Sequence, residues 1–172
     1  IRTTICYNDR PVKIAGSHAG ISVGPDGGTH QALEDVALMR VLPRMEVVVP
    51  CDALEAKKAT LAAAQTDHPT YIRLAREKTP VITSEESPFA IGKANLLWHD
   101  RRAQAGLIAC GPMVFNALLA ARELAEEGIA GSVLNLHTIK PLDQEAILNL
   151  ARETGAVITV EEHQRLGGMG SA

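Results

Sequence analysis

Apolar positions along the chain fall into short unbroken runs that alternate with stretches spaced for one face of a helix. Residues 12–16, 46–49 and 70–74 read as buried strands, the second closed by Pro50. Between the first two, residues 31–42 put Leu33, Val36, Ala37, Met39 and Val41 at near-helical spacing and stop before Pro43. Asp52 opens a second helix running to about Gln65, with Glu55 following in the manner of a capping box. Residues 79–99 break the alternation. Pro80, Pro88, Ser84, Ser87 and the acids Glu85 and Glu86 make this a linker, with a short β element expected at 89–93. Beyond it the pattern resumes: a strand at 105–110, a helix from Pro112 closed by Gly128, a strand at 131–136, a helix at 142–153 stopped by Gly155, and a strand at 156–160. His137 and Lys140, ahead of Pro141, read as loop. Gly167, Gly168 and Gly170 read as a turn into a further helix.

Unbroken apolar strands separated by helices predict an α/β fold with mostly parallel sheets covered on both faces. The expected organisation is a domain at 1–78, the linker at 79–99 and a domain at 100–172. The first domain supplies three strands, against roughly five to six in an average sheet. It therefore reads as incomplete, its sheet finished by upstream sequence or by a partner chain. The second domain reads as short of its final helix, and both ends of the chain read as cut.

Composition narrows the function. Aromatic residues are 3% of the chain, too few for a surface that stacks bases. Seventeen basic against 20 acidic side chains give a net charge of −3, which argues against a phosphate-backbone binder; no nucleic-acid partner is expected. No apolar run approaches the ~18–20 residues that span a bilayer, so no membrane partner is expected either. Cys6, Cys51 and Cys110 are scattered and odd in number, fitting neither a disulfide framework nor a zinc site. Cys51 and Cys110 follow apolar strands and read as small buried hydrophobes. The expected setting is reducing and cytoplasmic.

The chemistry concentrates in residues 17–31, a glycine-rich loop at the carboxyl end of the first strand. That edge is where open α/β sheets bind ligands. His18, Asp26 and His30 lie in this loop, and imidazoles exchange protons near neutrality while a carboxylate can bind a hydroxyl. On residue types alone, the loop equally describes a tight surface turn with incidental histidines. His30 and Gln31 are expected at a helix start, where free N–H groups favour a polar or anionic ligand. Arg73 and Arg76 flank the end of the third strand. A solvated strand-end charge is the ordinary expectation for Arg73. Glu161, Glu162 and His163 form a polar cluster at a strand end; a metal or interface cluster is the rarer alternative.

The string from His18 through Gly20, Gly24, Asp26, Gly27, Gly28 and His30 to Gln31 resembles the pyrimidine-binding-domain loop of transketolase. Residues 32–43 and 49–53 continue the resemblance. The second half matches less specifically, at 108–112, 134–141 and 160–172, and the likeness covers essentially the whole chain. It implies a thiamine-diphosphate pyrimidine-type domain, incomplete, followed by a Rossmann-like transketolase C-terminal domain. It further implies transfer of a two-carbon ketol group between sugar phosphates, in the manner of the pentose phosphate pathway, with thiamine diphosphate as the electron sink. In this resemblance His18 is catalytic and contacts the sugar phosphate, Asp26 reads a substrate hydroxyl, and His30 is catalytic, binds the two-carbon unit of the substrate and stands on the cofactor side. Arg76, in Leu74-Ala75-Arg76-Glu77, matches the phosphate-binding arginine better than Arg73 does. The family's cofactor-protonating glutamate lies upstream; residues 1–11 contain no glutamate. The divalent metal, Mg or Ca, belongs to a different domain, so no metal ligand is assigned here. The implied partners are an N-terminal transketolase domain or subunit and a second copy, as a dimer, with this chain inactive alone. Deoxyxylulose-phosphate synthase, a 2-oxoacid dehydrogenase β subunit and a non-catalytic assembly subunit of the same fold are the alternatives.

Overall fold

A computed structural model describes residues 1–172. After a π-helical turn at Arg2–Tyr7, three parallel strands build the first sheet: β1 (Lys13–Ala19), β2 (Glu46–Val48) and β3 (Thr70–Ala75). Helices α1 (Asp35–Arg40) and α2 (Ala53–Gln65) connect them. The second sheet comprises β4 (Asn95–Trp98), β5 (Ala105–Ala109), β6 (Gly131–Asn135) and β8 (Val157–Val160), with helices α3 (Met113–Glu126) and α4 (Gln144–Thr154). Between β6 and α4, the short strand β7 (Thr138–Lys140) leaves the second sheet and joins the first. The strand orders are β1-β3-β2-β7 and β4-β6-β5-β8. The sheets are mostly parallel, with β7 antiparallel to β2 and β4 antiparallel to β6.

The apolar runs explain the layers. Successive residues of β5 point to opposite faces. Leu107 and Ala109 therefore meet Val114, Ala117 and Ala121 of α3, whereas Ile108 joins Leu150 of α4 on the other face. That second face is continuous with the first sheet. One core of 14 buried residues runs from Val47, Val49 and Tyr71 to Ile108, Leu134, Leu136, Ile139 and Leu150. The first sheet thus gains a fourth strand from the chain's own second half.

Several local expectations are corrected. The helix expected from residue 31 begins at Asp35, because Ala32 pairs its N–H and C=O with Gly20 and cannot enter a helix. His30 and Gln31 therefore do not sit at a helix start. The β element expected at 89–93 is a turn closed by Lys93 N–H on the Ala90 carbonyl, and the strand falls at Asn95–Trp98. His137 lies in the two-residue link between β6 and β7, as expected, but is fully buried, whereas Lys140 is not a loop residue and ends β7. Turns run from residue 165 to 171, as expected of the glycines there. Cys51 and Cys110 are free and buried, as expected.

Candidate functional site

Parallel pairing of β1 with β3 sets Gly16 opposite Arg73 and Ala19 opposite Ala75. Three steps along β1 thus match two along β3, so β1 bulges at Ser17 and His18. A bulge re-aims side chains, and His18 takes a left-handed backbone, φ +61°, that few side chains adopt. The chain then closes on itself: Gly20 N–H reaches the Ala32 carbonyl at 2.9 Å, and Ala32 N–H returns to Gly20 at 3.1 Å. Residues 21–31 are held as a loop by this neck. A 3₁₀ turn at Gly24–Asp26 and the bond from His30 N–H to Gly27 shape its tip.

His18, Asp26 and His30 are all exposed. His18 Nδ1 lies 3.2 Å from Ser17 Oγ and His30 Nδ1 lies 3.0 Å from Thr29 Oγ1, which leaves both Nε2 atoms free within the chain. The Asp26 carboxylate is likewise free; only its backbone carbonyl is engaged, by Thr29. Arg76 follows Ala75 at the same sheet edge. Its Nη1 is 2.9 Å from Glu77 and packs so closely on Gly24 that a Cβ there would come within 2.8 Å. Nη2 and Nε remain without partners. The edge therefore brings Arg76 against the turn that carries Asp26 and beside the bulge that carries His18, with polar atoms turned outward on all of them. Two imidazoles, a carboxylate and a guanidinium can bind hydroxyls, carbonyls and a phosphate.

Arg73 behaves otherwise than expected. Its side chain is 4% exposed and ion-paired to Asp35 at 2.8 Å. Nη2 also donates to the carbonyls of Ala32 and Glu162. Tyr71 donates to the same Asp35 oxygen at 2.8 Å. The Glu161–His163 cluster is a set of backbone clasps and not a metal centre. Glu162 Oε1 accepts from Ile21 N–H at 2.7 Å, Glu161 accepts from Met169 and Gly170, and His163 Nε2 accepts from Ala37. No three His, Cys, Asp or Glu side chains gather as metal ligands. Sequence reasoning missed Arg73 and Glu162 as supports of the loop, because their contacts join positions up to 141 residues apart.

A cleft of about 450 Å³ lies beside this edge. Leu74, Ala75, Glu77 and Lys78 line one wall, and Pro50, Cys51 and Pro112 the other. It touches both sequence neighbours of Arg76 but none of His18, Asp26, His30 and Arg76 themselves. Behind it, the buried Glu55 carboxylate accepts from Cys51 N–H and from Asn135 Nδ2, each at 2.7 Å, and so ties α2 to β6.

Residues 1–81 match the family described as transketolase, pyrimidine binding domain, and residues 92–172 match transketolase, C-terminal domain. The chain is 44% identical to the 6-deoxy-6-sulfo-D-fructose transketolase subunit SqwH of Clostridium sp. (strain MSTE9), over 100% of this chain and 53% of that protein. It is 39% identical to an apulose-4-phosphate transketolase subunit from Phocaeicola vulgatus, over 99% of this chain and 54% of that protein. A solved structure described as a split gene transketolase, inactive beta4 tetramer, superposes with a TM-score of 0.91 at 44% identity, covering 99% of this chain and 54% of that one. The chain thus spans about half the length of these relatives.

Proposed function

Because this chain belongs to the transketolase family, with a pyrimidine-binding domain followed by a C-terminal domain, we propose that it is the C-terminal section of a ketol-transferring enzyme. Its substrates are sugar phosphates, and it works with an N-terminal section and a second copy of itself. His30 binds the hydroxyl and carbonyl of the two-carbon unit on the cofactor side, Asp26 reads a substrate hydroxyl, and His18 and Arg76 hold the phosphorylated sugar. Thiamine diphosphate, when bound, supplies the electron sink. Its diphosphate and the accompanying divalent metal, Mg or Ca, are assigned to the N-terminal section. The exposed His30 fits a cofactor and substrate arriving from a partner surface, since its Nε2 has no partner within the chain. The observation that carries the reading is the packing of Arg76 on Gly24, which brings a guanidinium to the loop of His18, Asp26 and His30.

The test is ketol transfer from a ketose phosphate to an aldose phosphate, measured with this chain alone and with its N-terminal section added. Activity is expected only in the mixture; no transfer with the complementing section would overturn the reading. In the active assembly, Arg76→Ala removes binding made equally in the ground and transition states. It should raise KM for phosphorylated sugars by about 10- to 100-fold, the worth of a charged hydrogen bond, and leave kcat nearly unchanged. Equal losses with unphosphorylated sugars would count against Arg76 as the phosphate ligand.

A further inference from the structure

We propose that Glu162, contributed by the second half of the chain, is a positioning residue that sets the loop bearing His18, Asp26 and His30. The proposal rests on reading that loop as the substrate site. The neck of the loop has two sides, and the 162–164 segment grips both. On one side, Glu162 Oε1 accepts from Ile21 N–H at 2.7 Å, and the carboxylate fills the space where a Cβ on Gly20 would stand. Gly20 has φ +86°, a backbone that glycine alone adopts without cost. On the other side, Gln164 N–H donates to the Leu33 carbonyl at 2.9 Å. Arg73 joins the sides, because its Nη2 donates both to Ala32 of the neck and to the Glu162 carbonyl.

These contacts divide the work of Glu162 between backbone and side chain. The backbone carbonyl holds Arg73, and hence the Asp35 and Tyr71 cluster behind it. The carboxylate acts only on the loop. Removing the carboxylate therefore frees Ile21 N–H and opens a gap beside Gly20, while the Arg73 anchor and the core beneath it stay in place. The loop can then shift at its neck. Displacements near 1 Å are enough to slow chemistry when several groups must meet one substrate.

The experiment compares Glu162→Ala and Glu162→Gln in the assembly with the N-terminal section. It reads amide hydrogen exchange at Ile21 together with kcat and KM. In Glu162→Ala, exchange at Ile21 should quicken about tenfold or more, because the amide loses a charged acceptor. There kcat/KM for phosphorylated sugars should fall about tenfold or more, through kcat as well as KM, because the displaced loop carries His18 and Asp26 as well as His30. Glu162→Gln keeps an oxygen acceptor and should restore both readings to within about threefold of the parent. Unchanged exchange at Ile21 in Glu162→Ala overturns the proposal. So does faster exchange with kcat/KM intact, or a Gln variant as impaired as the Ala variant. Failure of the unsubstituted assembly to transfer ketol groups overturns the functional reading instead, and the exchange data still decide whether Glu162 holds the loop.

Discussion

His137 is fully buried, its Nδ1 3.0 Å from Thr138 Oγ1, its ring stacked on Phe89 with centroids 4.3 Å apart, and its Nε2 without a partner. Burial pushes the imidazole down from 6.5 to about 4, against a smaller upward pull from Asp143. The neutral ring is thus the one the fold accepts. Its contribution to stability is fully present above pH 6.5 and is lost as pH falls toward 4, at about 1.4 kcal/mol per pH unit. Denaturant titrations of His137→Phe, which keeps a ring against Phe89, should lose this slope between pH 6.5 and 4; an unchanged slope would place its origin elsewhere. Arg73 and Arg76 show a similar dependence on position. Three residues apart at one strand end, one is sealed into an ion pair with Asp35 and the other keeps nitrogens free toward solvent. Residue type makes either an equally good anion ligand. Only the burial of Arg73 removes it from that role.

Among elements, α2 is built at its first residues. The Asp52 carboxylate accepts from Glu55 N–H at the helix start, and also from Ile82 N–H, Thr83 N–H and Thr83 Oγ1. Burial alone would raise this carboxyl, yet the donated bonds hold it below the usual carboxylate range. Its contribution is present above that range and is lost as pH falls through it. Glu55 does not complete a capping box; its side chain reaches Cys51 N–H, one residue before the cap, and Asn135. Asp52→Ala should cost about 2–4 kcal/mol, a cap plus the buried Thr83 N–H left without its acceptor. Urea unfolding measures this, and a loss of under about 1 kcal/mol would mean that water replaces the carboxylate at these donors. Strand β7 is held differently. It is three residues long, too short to read as a strand by its own pattern, and pairs with β2 some 90 positions earlier. Val49 N–H on the His137 carbonyl and Lys140 Nζ on the Arg40 carbonyl fasten it at either end.

For the whole molecule, the shared core governs how the halves depend on each other. Val47, Val49 and Tyr71 from the first half pack with Ile108, Leu134, Leu136, Ile139 and Leu150 from the second. At about 1.5–3 kcal/mol for each buried side chain, this contact surface is comparable to the entire 5–15 kcal/mol by which a domain is stable. Fragments 1–78 and 100–172 should therefore fail to unfold cooperatively when produced separately, whereas the joined chain should show one transition by circular dichroism. A sharp melt of the isolated 1–78 fragment would contradict this. The coupling also explains how the second half can act on a loop of the first: Glu162 reaches Ile21 because β7 and the common core fix the two sheets against each other.

The amino-acid sequence alone determined the alternation of strands and helices, the α/β class, the start of α2 at Asp52, and the loop in which His18, Asp26 and His30 stand. These follow from interactions between near neighbours, such as period, capping and glycine-rich turns, which a linear string displays directly. Tertiary structure decided which arginine is buried, where α1 begins, that β7 crosses to the first sheet, and that Glu162 braces the loop. Each of these depends on which distant backbone group occupies a hydrogen bond. Ala32 is taken by Gly20, Arg73 by Asp35 and Ile21 by Glu162. Such pairings exist only once the sheets have packed, and no local pattern of residue types encodes them.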